Sequence, residues 1–110
     1  MHFSVAGEYL TVSRITGPHH NLLQLKLGLG DQGHVALEAL GAAAGSEPGL
    51  LDGDAVVRAV LEGVATANSQ LGATFAVTHV RYVQDDSKPE SIYRFLAEAL
   101  AQHFAEQVIG

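Results

Sequence analysis

The chain opens on alternation. Over residues 2–6, Phe3 and Val5 alternate with His2, Ser4 and Ala6, the period-two pattern of a short half-buried strand. After Gly7-Glu8 the phase changes, and Leu10 and Val12 become the apolar positions of a second strand near 9–15. A tight turn led by glycine, or a bulge, produces such a switch. Residues 22–29, LLQLKLGL, set Leu23, Leu25, Leu27 and Leu29 on one face and Gln24 and Lys26 on the other, predicting a strand with one wet face. The turn GDQG at 30–33 leads into HVALEAL at 34–40, where Val35, Leu37 and Ala39 face the core and His34 and Glu38 face out. This predicts a strand that pairs antiparallel with its predecessor across the turn.

The period then becomes helical. Residues 41–51, GAAAGSEPGLL, carry glycine and proline without a pattern and are expected to form a mobile loop anchored by Leu50 and Leu51. Asp52 is placed to cap a helix over about 53–71, with Val56, Val60, Val64 and Ala67, flanked by Val57 and Leu61, at helical spacing. Gly72 is placed to end it. A β-branched and aromatic run, TFAVTHVRYV at 74–83, predicts another strand. The SKPE that follows has the spacing of a capping box between Ser87 and Glu90, with Pro89 in the first turn, where its missing N–H is harmless. A second helix is expected over about 88–108, with Ile92, Phe95, Leu96, Ala99, Leu100 and His103 along one side.

These elements predict an α+β fold: a mainly antiparallel sheet with two helices on one face, in the order β-β-β-α-β-α. The opposite face, carrying Gln24, Lys26, His34 and Glu38, is then either solvated or an oligomer interface. With 110 residues the chain is one domain. The net charge is −6, and the six basic residues, Arg14, Lys26, Arg58, Arg81, Lys88 and Arg94, stand singly along the chain. Binding a phosphate backbone needs basic residues in a cluster, so this spread argues against nucleic acid as a partner. The absence of cysteine removes disulfides, thiolate metal sites and a thiol nucleophile together, and fits a cytoplasmic location. No apolar run approaches the ~20 residues of a membrane helix. The first ten residues, MHFSVAGEYL, lack the basic start and apolar centre of a secretory signal.

Three groups of residues have candidate chemistry. His19 and His20 lie in RITGPHHNLLQL; neighbouring histidines can ligate a metal or supply a general base. Consecutive strand residues point to opposite faces, however, so the two meet one ion only if a turn redirects them. The simpler reading is a solvated turn bent by Gly17-Pro18. Asp85 and Asp86 can hold a cation or form an acid–base pair, or else complement the dipole of the helix that follows. His79 and Arg81 share a face of their strand and, with His34 and Glu38, form a candidate binding face or dimer contact; hydrogen-bonded structural roles explain them equally well. Tyr9, Tyr82 and Tyr93 with Phe3, Phe75, Phe95 and Phe104 are expected as core and interface residues. GLGDQG fits the letters of a dinucleotide fingerprint but lies between two strands instead of opening a helix. No phosphate loop or nucleophile elbow is present, and no cofactor is predicted.

Three stretches resemble domain four of translation elongation factor G. They are GDQGHVALEAL, with its Gly33-His34-Val35 step into a strand; AVLEGVATA at 59–67, with an Ala-Val-x-x-Gly helix pattern; and VTHVRYVQDDSKPESIYRFLAEAL. The resemblance spans about residues 20–105 and implies that family's order of strands and helices. The family's loop between the last strand and last helix is longer and carries a histidine at its tip. Here VQDDSK is short, acidic and without histidine, so no role in translocation is implied. The functional expectation is a small non-enzymatic interaction module, a homo-oligomer through its open sheet face, with another protein as a further partner class. The alternative is a small enzyme or a ligand- or metal-binding protein with a site around His19 and His20.

Overall fold

The computed structural model describes residues 2–16, 19–40, 51–83 and 89–109. Seven elements follow one another: β1 (His2–Ala6), β2 (Tyr9–Thr16), β3 (His19–Leu29), β4 (Ala36–Leu40), α1 (Gly53–Leu71), β5 (Phe75–Val83) and α2 (Ile92–Ile109). The architecture is α+β, with a five-stranded, mostly antiparallel sheet and two helices. Four strands precede α1, at the four segments where the alternation predicts them, one more than the order β-β-β-α-β-α counts. The phase switch after Val5 is a turn at Gly7-Glu8, with Gly7 at φ 65°, a conformation that suits glycine.

The strand order is β1-β2-β3-β5-β4, and this corrects the expected hairpin between β3 and β4. β5 is inserted between them. It runs antiparallel to β3 and parallel to β4, with Glu38 beside Arg81 and Ala36 beside His79. The reason lies in burial: Phe75, Ala76, Val77, Val80 and Tyr82 of β5 are all buried, as in a central strand, whereas Ala36 to Ala39 are exposed, as at an edge. The connection from β4 through α1 to β5 is also long enough for the crossover that parallel strands require.

β4 flanks β5 only from His79 to Val83, which leaves backbone groups at the start of β5 without a strand partner. Two side-chain amides fill that place. Gln32 Nε2 donates to Val77 O at 2.8 Å while Val77 N donates to Gln32 Oε1, also at 2.8 Å. Asn68 does the same for Phe75, with both bonds at 2.9 Å. A primary amide presents the donor and acceptor of a peptide group, so each closes one two-residue gap in the ladder.

α1 starts as its sequence predicts: Asp52 accepts from Asp54 N at 3.0 Å, and Gly72 ends the helix in the left-handed region at φ 65°. Its buried stripe is Val56, Ala59, Val60, Gly63, Val64 and Ala67. α2 begins at Ile92, later than expected, because the preceding residues form tighter turns in which Ile92 N donates to Pro89 O and Tyr93 N to Glu90 O. Ser87, half of the expected capping box, lies outside the described residues. Glu90 reaches the other helix instead, accepting from Asp52 N at 2.8 Å. The buried side of α2 is Tyr93, Leu96, Ala97, Leu100, Ala101 and Ala105. Phe95, expected on that side, is 51% exposed. The two helices pack on each other and on one sheet face, where Val12, Leu23, Leu25, Val77, Val80 and Tyr82 complete the core.

Candidate functional site on the open sheet face

The uncovered face follows from the ladder. One row crosses all five strands: Ser4, Thr11, Gln24, Arg81 and Glu38 are successive cross-strand partners. In the next row, Lys26 faces His79 and His79 faces Ala36. On the other side of the polar row, Val83 and Leu40 are partners and both half-buried. The strand period of two that sends Leu23, Leu25, Val80 and Tyr82 to the helices therefore sends Gln24, Lys26, His79 and Arg81 to this side.

Tyr9 organises the polar groups. The Arg81 guanidinium carbon lies 3.9 Å from the ring centroid and Lys26 Nζ lies 4.8 Å from it, so two cations share one aromatic ring. His79 meets the same ring edge-on, with centroids 6.3 Å apart, and its Nδ1 is 3.0 Å from Thr78 Oγ1. Each cation also has a carboxylate. Lys26 Nζ donates to Glu8 Oε2 at 3.0 Å, and Arg81 Nε lies 3.3 Å from Glu38 Oε2. The two pairs differ in quality: Arg81 Nε is buried and makes no hydrogen bond, so the contact with Glu38 is an ion pair without hydrogen-bond alignment. Gln24 Nε2 donates to Thr11 Oγ1 at 3.2 Å and fixes the middle of the row. The face thus holds two positive and two negative side chains, fixed largely by one another.

Of the residues singled out in the sequence, the structure gathers His79, Arg81 and Glu38 on this face. His34 is exposed in the segment between β3 and β4, ahead of the first paired residue, Ala36. His19 and His20 belong to β3 and not to a turn, pairing with Thr16 and Ile15 of β2, and their side chains lie outside the described residues. Asp85 and Asp86 also lie outside them. No cluster of three or more His, Asp or Glu side chains that could hold a metal ion occurs among the described residues. Sequence reasoning grouped Tyr9 with the other aromatic residues as core or interface and did not place it at the centre of this face. The signal was its parity, since Tyr9 alternates with Leu10 and Val12 and so shares the polar face with Thr11 and Ser13.

Two grooves lie on the other side of the sheet or between the helices. One, of about 560 Å³, runs between Arg58 and Glu62 of α1 and the start of α2 near Arg94 and Phe95. The other, of about 500 Å³, is apolar and lies between β1 and α2, where Phe3 stacks on His103 with ring centroids 4.3 Å apart. Compared with protein-family models, curated proteins and solved structures, the chain finds no match in any of the three.

Proposed function

We propose that this protein is a small interaction module that self-associates through the open face of its sheet. The observation that supports this reading is the balance of charge. The chain as a whole carries −6. On the open face, Glu8 and Glu38 are offset by Lys26 and Arg81, so a second acidic copy meets a patch with no net charge. Long side chains held by a shared ring and by ion pairs also have less freedom to lose when a partner arrives, which lowers the entropic cost of association. A surface that carries both signs can complement itself across a two-fold axis, the commonest symmetry of small homo-oligomers.

Sedimentation equilibrium of the wild-type chain and two variants tests the proposal. Gln24→Lys adds a third cation to the centre of the polar row and removes the bond to Thr11; Glu62→Lys makes twice that charge change on the exposed side of α1. The expected result is an oligomeric wild type, an unchanged Glu62→Lys, and a Gln24→Lys whose dissociation constant rises by about tenfold or more, the scale of misplaced charges at an interface. A monomeric wild type, or a Gln24→Lys that associates as the wild type does, overturns the proposal.

A further inference from the structure

The four charged groups of the open face are not evenly placed. Across the sheet they run acid, base, base, acid: Glu8 in the turn after β1, Lys26 on β3, Arg81 on β5 and Glu38 on β4. This order restricts how a second copy can lie. A two-fold axis through the middle of the sheet sets the bases of one copy over the bases of the other. An axis through either acid–base pair sets each acid over a base, and like charges opposed at an interface are strongly disfavoured.

The two pairs are unequal candidates for that axis. Lys26 and Glu8 already share a hydrogen bond at 3.0 Å, with Glu8 standing out in a turn. Arg81 and Glu38 lie at flat strand positions beside the apolar partners Val83 and Leu40. Their side chains keep 33% and 55% of their exposure, and the 3.3 Å contact between them lacks hydrogen-bond alignment. A guanidinium is a planar fork suited to a two-bond grip on a carboxylate, and its neighbour does not supply one here. Tyr9 holds the fork in place from one side.

Resting on the self-association reading above, we infer that the second copy docks with its two-fold axis at this pair, so that Arg81 of each chain takes Glu38 of the other. The intrachain contact seen in the isolated chain is then the resting arrangement of groups that exchange partners on dimerisation. β4 is an edge strand, so the axis lies near the rim of the sheet and the two sheets overlap only in part.

Charge reversal in separate chains tests the exchange. Arg81→Glu alone opposes acid to acid twice across the axis, and Glu38→Arg alone opposes base to base twice. Each is expected to raise the dimer dissociation constant by about tenfold or more, with far-UV circular dichroism unchanged. An equimolar mixture of the two restores both interchain pairs and is expected to recover dimer close to wild-type affinity. If wild-type chains dimerise but the mixture does not recover, the inference is wrong while the self-association reading stands. If wild-type chains are monomeric, the reading itself fails. If a variant does not fold, the salt dependence of the wild-type dimer decides: a several-fold weakening from about 0.05 to 0.5 M NaCl is expected, since ion pairs at a partly open rim are screened, and no change overturns the inference.

Discussion

The two helices approach each other closely at Gly63. A Cβ placed there lies 2.2 Å from Arg94 O and 3.0 Å from both Arg94 C and Glu98 N, more than an ångström short of the 3.4 Å at which ordinary contact to that oxygen begins. Those atoms are main chain of α2 and cannot rotate aside. Gly63→Ala therefore has to push the helices apart and loosen the core to which Val60 and Val64 of α1 and Leu96 and Ala97 of α2 all belong. Overpacking of this kind costs ~1–3 kcal/mol, and a clash with backbone belongs at the upper end. Against it stands the better helix propensity of alanine, worth ~1 kcal/mol. The expected net loss is about 2 kcal/mol, which for a domain of this size lowers the Tm by roughly 8 °C. Gly53→Ala is the comparison. Its Cβ meets only side-chain ends, Leu37 Cδ2 and Tyr82 Oη, each at 2.9 Å, so its loss is expected to stay within about 1 kcal/mol. Differential scanning calorimetry of both variants decides. A Gly63→Ala protein as stable as the wild type or more so would show that propensity governs this position and that the helices do not meet as described.

Two further results are expected. Asn68→Ala and Gln32→Ala each strip two bonds from β5 and leave backbone groups without their amide, a loss of ~1–3 kcal/mol in urea unfolding. Gln32→Ala also bares a strand edge at Val77 and is expected to raise light scattering at high concentration; stabilities within a few tenths of wild type refute the ladder-closing role. Asp52→Ala removes the acceptor for Asp54 N and is expected to cost ~1 kcal/mol, whereas Asp52→Asn keeps a cap and stays near wild type; equal loss in both refutes the capping role.

Much of the fold is legible in the sequence because its signals are local. The leucine alternation of β3, the Asp52 and Gly72 caps, and the helical spacing of α1 each depend on residues within a few positions of one another. What was not legible is non-local. The alternation in β4 suits a hairpin and a parallel edge strand equally, and only the arrival of β5 from beyond α1 separates them. The sequence did hold a clue: β5 has apolar residues on both faces, Ala76 and Val77 among them, as central strands do. The face of α2 was misjudged for a similar reason. Its apolar residues nearly encircle the helix, so periodicity alone did not separate exposed Phe95 from buried Tyr93. The open face was half legible: His79, Arg81 and Glu38 follow from strand parity, but the ring that joins Lys26 to Arg81 depends on β2 and β5 flanking the same strand.

Self-association through the open face turns on which surface meets a second copy. Backbone amide chemical shifts recorded over a hundredfold range of protein concentration test this directly. Concentration-dependent shifts are expected to concentrate on Tyr9, Gln24, Lys26, Glu38 and Arg81 while the outer positions of α1 and α2, such as Glu62 and Phe95, stay still. Shifts confined to the helices, or none at any residue, would contradict it.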